Sequence, residues 1–280
     1  MLYNNINDLI GNTPLIKEKM LNNNLYLKLE KYNLNGSIKD RTAFYIINSL
    51  ISDKKIKESD YLVCSTSGNL GISLAYFCNY YKIKLILLMP NNVSKERIKL
   101  INSLKAKIYL TKERNFDNLN KIGKLLVNKI SGYYIDQFNN EKNILAGFNL
   151  GKELDNELKK IDYVFCGVGS GGTYQGLTNY FSKTNVKIIG ILPDKEDHLI
   201  TGIGPGFIPY NIKNLKNVIY VNDLNALKIQ NDFVKKTGIL IGKSSGAVLL
   251  GCKEYIKKNN LVNKNIVLIF PDSLERYLSE

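Results

Sequence analysis

Short apolar runs alternate with stretches of helical periodicity along almost the whole chain, and this alternation restricts the fold more than any other feature. LYLKLE at 25–30, YLVC at 61–64, KLILLM at 84–89, AKIYL at 106–110, YYI at 133–135, DYVFC at 162–166, KIIGIL at 187–192, VIYV at 218–221 and NIVLIF at 265–270 read as strands. Residues 40–51, 68–80, 94–104, 116–130, 142–158 and 245–258 read as helices, with one more after 173 and another after 221. Ser94 stands where an N-cap is expected. Strands joined through helices pair in parallel, so the pattern predicts an α/β protein whose mostly parallel twisted sheets are covered by helices. At 280 residues, one large or two modest domains can each bury a core.

Lys and Arg number 39 against 25 Asp and Glu, a net charge of +14. The lysines are spread along the chain without a concentrated basic patch. The charge is therefore read as a solvated surface that favours anionic substrates rather than as a nucleic-acid footprint. No run approaches eighteen apolar residues, and the first residues lack a basic segment followed by an apolar one. Neither a membrane span nor a secretion signal is expected, which points to the cytoplasm. Cys64, Cys78, Cys166 and Cys252 are scattered. They suggest buried thiols, with no metal site and no disulfide framework.

The chemistry gathers where strands give way to helices. GVGSGGT at 167–173 follows DYVFC and contains G-x-G-x-x-G, with Asp194 about twenty residues on, the spacing of a dinucleotide turn. The same glycines can serve any phosphate, or only a tight turn. NGSIKDR at 35–41 puts Lys39 at the mouth of a helix, where a desolvated amine can attack a carbonyl. CSTSGNLGISLA at 64–75 and GKSSGAVLLG at 242–251 open helices with hydroxyl residues suited to holding a carboxylate or a ring. Ligands of open α/β sheets bind outside the carboxyl ends of strands, where these junctions fall. The irregular stretch 192–216 is long enough to suggest function and holds the sole histidine, His198, which reads as a polar surface residue.

Taken in order, IGNTPLIK at 10–17, NGSIKDR, TSGNLG, DQF at 136–138, GVGSGGT, TGIGPGFIP at 201–209, GKSSGA and PDSLERYLS at 271–279 resemble the cysteine synthase (O-acetylserine sulfhydrylase) and cystathionine β-synthase family of fold-type II pyridoxal phosphate enzymes. Sister branches that deaminate serine or threonine carry a loop closer to SAGNHA. The resemblance covers residues 6–279. It implies a tryptophan synthase β-like fold with the cofactor in a cleft between two α/β domains. The smaller, mobile one would comprise 1–12 and 36–140, the larger 13–35 and 141–280.

The resemblance further implies pyridoxal 5′-phosphate as cofactor. Lys39 would form the internal aldimine and act as the catalytic base. Asn69 would bond the ring hydroxyl, Ser244 the pyridine nitrogen, and Gly169, Ser170, Gly171, Gly172 and Thr173 the phosphate. Thr66, Ser67, Gly68, Asn69, Leu70 and Gln137 would receive the substrate carboxylate, and the segment carrying Gly202 and Gly204 would lie over the substrate face. A serine rather than an acid at the ring nitrogen disfavours a long-lived carbanion. It favours loss of the α-proton coupled to departure of a β-substituent. The implied activity is β-replacement on O-acetylserine or O-phosphoserine through an aminoacrylate, with sulfide to give L-cysteine.

Cysteine desulfurisation, cystathionine formation and amine addition to a 2,3-diaminopropionate precursor are alternatives. A homodimer and a docked serine acetyltransferase tail follow the family. Leu70 stands where cysteine synthases usually have threonine, the segment before TGIGPGF is shorter than the family norm, and Leu274 replaces a usual glycine. A dinucleotide-dependent dehydrogenase explains Gly167–Gly172 but leaves NGSIKDR and TSGNLG without a task. A catalytically silent interaction protein on this fold is opposed by an intact Lys39.

Overall fold

A computed structural model describes residues 2–113 and 115–279. The chain opens with β1 (Leu15–Met20) and β2 (Asn23–Leu29). There follow α1 (Lys39–Ser52), β3 (Tyr61–Ser65), α2 (Asn69–Tyr80), β4 (Lys84–Pro90), α3 (Lys95–Ser103), β5 (Lys107–Thr111), α4 (Phe116–Ile130) and β6 (Tyr133–Ile135). It closes with α5 (Glu141–Glu157), β7 (Tyr163–Gly167), α6 (Gly172–Tyr180), β8 (Lys187–Pro193), β9 (Val218–Val221), α7 (Asp223–Thr237), α8 (Lys243–Lys258) and β10 (Asn265–Phe270).

Two compact units result: Met1–Ile38 with Phe138–Glu275, and Lys39–Gln137 with Arg276–Glu280. The larger carries a six-stranded sheet in the order β1-β2-β10-β7-β8-β9, parallel except for the antiparallel β1–β2 pair. The smaller carries a parallel sheet in the order β5-β4-β3-β6. β4, KLILLMP, is buried at every residue after Lys84, as a central parallel strand covered on both faces must be. In α1 the buried apolar residues Ala43, Ile46, Ile47 and Leu50 recur at helical spacing and form the face turned to the core. α7 stops at Gly238, whose φ of 71° supplies the left-handed turn that ends a helix without a Cβ clash.

The grouping differs from the expected domains at both chain ends. Residues 2–12 belong with the larger unit, where Gly11 N–H donates to Asn33 Oδ1 at 2.8 Å. Residues 276–279 belong with the smaller. There the Arg97 guanidinium lies 5.1 Å over the Tyr277 ring and Ser279 Oγ donates to Glu96 at 2.5 Å. Ser94 occupies the N-cap of α3 in extended backbone, but its side chain makes no cap hydrogen bond. Among the described residues, no helix is long and apolar enough to cross a membrane. All four cysteines are buried and unbridged.

Candidate active site

In the smaller unit, Lys39 is the first residue of α1. Burial of its amine lowers the pKa to about 8, against a smaller opposing effect of the neighbouring Cys64. A lysine in that state supplies a useful fraction of neutral amine at physiological pH, which an ordinary lysine does not. Cys64 is no rival nucleophile, because burial pushes its thiol well above the usual range.

The segment 66–70 joins β3 to α2. Thr66 N–H donates to Leu88 O at 3.1 Å, fastening the turn to the neighbouring strand, and Gly68 N–H reaches Thr66 Oγ1 at 3.3 Å. Gly68 is the N-cap, so α2 starts beside Ser67 and Asn69, with no acid in its first turn. Gln137 is buried and donates to Ser65 O at 3.4 Å, so it stands at the same end of the sheet. Thr66, Ser67, Gly68, Asn69 and Gln137 are therefore brought together. Leu70 is 1% exposed, so its side chain belongs to the core and only its backbone can serve a ligand. Arg97, absent from the sequence reading, is buried and donates from Nη1 to Ser67 O at 3.4 Å.

In the larger unit, the glycine turn runs from the end of β7 into α6. Gly171 has φ 83° and caps the helix, a conformation open to glycine. The first two glycines have a different reason. A Cβ on Gly167 would stand 2.5 Å from Ile203 Cγ2, and one on Gly169 would strike the Gly202 carbonyl. Those glycines thus let the 202–204 segment lie directly on the turn, where Gly204 N–H donates to Val168 O at 2.9 Å. Gly202, Gly204 and Gly169–Thr173 are one structure.

Two buried asparagines that sequence reasoning missed hold the turn. Asn143 Nδ2 donates to Ser170 Oγ at 2.8 Å, and Asn211 Nδ2 to Ser170 O at 2.7 Å. No local signal marks either, since each lies far along the chain from its partner. Ser244 is buried in the first turn of α8, which contains no acid. His198 is half-buried rather than a free surface residue, and its ring meets Gly204 O.

A phosphate ester fits the donor set at 169–173: N–H groups at a helix start, hydroxyls on Ser170 and Thr173, and no acid in the first turn. An aldehyde fits the partly neutral amine of Lys39. Pyridoxal phosphate carries both of these functional groups.

Residues 6–272 match the protein family described as pyridoxal-phosphate dependent enzyme. Cysteine synthase B of Campylobacter jejuni is 34% identical over 99% of this chain and 98% of its own length. The O-acetylserine dependent cystathionine beta-synthase of Bacillus subtilis is also 34% identical, over 98% and 96%. Among solved structures, a hydrogen sulfide-producing enzyme from Fusobacterium nucleatum superposes with a TM-score of 0.92 at 31% identity, covering 99% of this chain and 100% of that one.

Proposed function

Because the chain belongs to the pyridoxal-phosphate dependent enzyme family, we propose that it exchanges the β-substituent of an activated L-serine, O-acetylserine or O-phosphoserine, for sulfide, giving L-cysteine. When bound, pyridoxal phosphate supplies an electron-accepting ring that lets an amino acid lose its α-proton. The residues that would hold it are Lys39 at the aldehyde, Gly169–Thr173 at the phosphate, Asn69 at the ring hydroxyl and Ser244 at the ring nitrogen.

The observation that carries β-replacement is Ser244 itself, a buried hydroxyl in a helix turn without an acid. A serine there cannot keep the ring nitrogen protonated as a carboxylate would. Chemistry that needs a long-lived α-carbanion, such as transamination or racemisation, is disfavoured. Departure of a β-substituent along with the α-proton is favoured.

The remaining work falls to this chain's own groups. Thr66, Ser67, Gly68, Asn69, the Leu70 backbone and Gln137 bind the substrate carboxylate and orient its α-carbon. Lys39 Nζ, neutral in useful measure near pH 8, takes the α-proton as general base and later returns it. By the family resemblance, the 202–207 segment would lie over the substrate face and limit the entry of water. Leu70 offers no hydroxyl to this loop. That bears on the same residues serving cystathionine formation, cysteine desulfurisation or amine addition to a diaminopropionate precursor. The reading extends to a cytoplasmic homodimer with a serine acetyltransferase tail as an optional partner, which light scattering with and without that tail would test.

Mixing the purified yellow enzyme with O-acetylserine, O-phosphoserine or cysteine should change its absorption with one donor. Product analysis with sulfide, homocysteine or glutamate then identifies the acceptor. If none of the donors alters the spectrum, β-replacement fails; if only homocysteine or glutamate is consumed, the sulfide assignment fails.

A further inference from the structure

Gly202, Gly204 and Gly206 have φ of 95°, 64° and 81°, so this stretch has neither regular structure nor side chains at those positions to hold it. Its backbone must be held from outside. Gly204 is gripped at both ends of its own residue: its N–H donates to Val168 O at 2.9 Å, and its carbonyl meets His198 Nε2 at 3.2 Å. The approach is close, since a Cβ on Gly204 would come within 2.8 Å of that same Nε2 and 2.5 Å of Pro193 Cγ.

The other ring nitrogen decides the proton's place. Ile200 N–H donates to His198 Nδ1 at 3.1 Å, and a nitrogen that accepts a hydrogen bond carries no proton. The ring proton therefore sits on Nε2 and is donated to Gly204 O. The strap bearing the ring is itself fastened, for Leu199 N–H donates to Asp223 Oδ2 at 3.0 Å and Lys195 pairs with Asp223 at 3.3 Å. We infer that His198 is a positioning residue: as the neutral, Nε2-protonated imidazole it clamps the Gly202–Gly204 segment onto the glycine turn and so sets the substrate face. The assignment of that face rests on the function proposed above; the clamp does not.

A cationic ring carries hydrogen on both nitrogens and would set Nδ1–H against the Ile200 N–H, donor against donor. Charged groups on the ring's own strap are Asp194, Lys195, Glu196 and Asp197. α7 adds Asp223, already engaged by Leu199, Leu224 and Lys195, while Pro193, Val168 and Gly204 bring no charge.

The chain has one histidine, so protein labelled with 15N-histidine and made without a histidine tag yields one ring spectrum. Holoenzyme near pH 8 should show a protonated Nε2 and an unprotonated Nδ1. His198→Ala should raise KM for the reactive donor about fivefold, the loss of one neutral hydrogen bond, with kcat little changed. His198→Gln, whose amide can still donate to Gly204 O, should restore KM. An Nδ1-protonated or averaging ring in the wild type overturns the clamp. A KM unchanged in His198→Ala overturns its role at the substrate face. Should no donor react at all, the proposed function falls, and the ring spectrum still decides the clamp.

Discussion

The amine of Lys39 feels burial and charge at once, and burial prevails, bringing it to about 8. Lowering a lysine's pKa enlarges its neutral fraction, so the sign is definite. Capture of the cofactor aldehyde by apoprotein should accelerate as pH rises through about 8, where a solvated lysine would respond only near 10. Stopped-flow absorbance across that range measures the midpoint, and a midpoint near 10 would contradict a desolvated amine. Asn143 permits a second prediction at the same scale. Asn143→Ala leaves the buried Ser170 hydroxyl without the amide that bonds it at 2.8 Å. It should cost about 1–3 kcal/mol in urea unfolding and weaken cofactor affinity as well. Lys39 was readable from NGSIKDR because a glycine turn before a helix is a local signal. Asn143 was not, because an asparagine inside a helix looks polar and idle until its partner is known.

Helices α5 and α6 meet through glycine, and that contact sets where the glycine turn ends. A Cβ on Gly147 would stand 2.5 Å from Gly172 O, and one on Gly176 would strike the Ile144 carbonyl and come within 2.5 Å of Gly147 C. Gly176→Ala should therefore push the helices apart. The expected penalty is about 1–3 kcal/mol of overpacking, seen as a drop in Tm of about 2–4 °C per kcal/mol by calorimetry. An unchanged Tm would mean that the contact yields freely. Most elements were visible as periodicities, since a buried parallel strand and an amphipathic helix each write their pattern within one stretch. β1 was not singled out: LIKEKM is an antiparallel edge strand, half exposed and half polar, without the apolar run of its neighbours. α8 begins at Lys243 rather than 245, because Gly242 caps it in extended backbone.

Over the whole molecule, a charge of +14 places any anionic donor in an attractive field. If O-phosphoserine and O-acetylserine are both used, kcat/KM for the phosphorylated donor should fall more steeply as salt rises from about 10 to 150 mM, as the Debye length shrinks from about 30 to 8 Å. Equal salt slopes would confine recognition to short-range contacts. The order of strands and helices, the hydroxyl and glycine junctions between them, and the resemblance they carry were all written in the sequence, because turns, caps and periodicities are settled by neighbours a few residues away. Only the tertiary structure decided why Gly167 and Gly169 are bare, which proton the lone imidazole keeps, and how far Lys39 is discharged. Close approach and desolvation come from groups distant along the chain, and no local pattern records who will arrive.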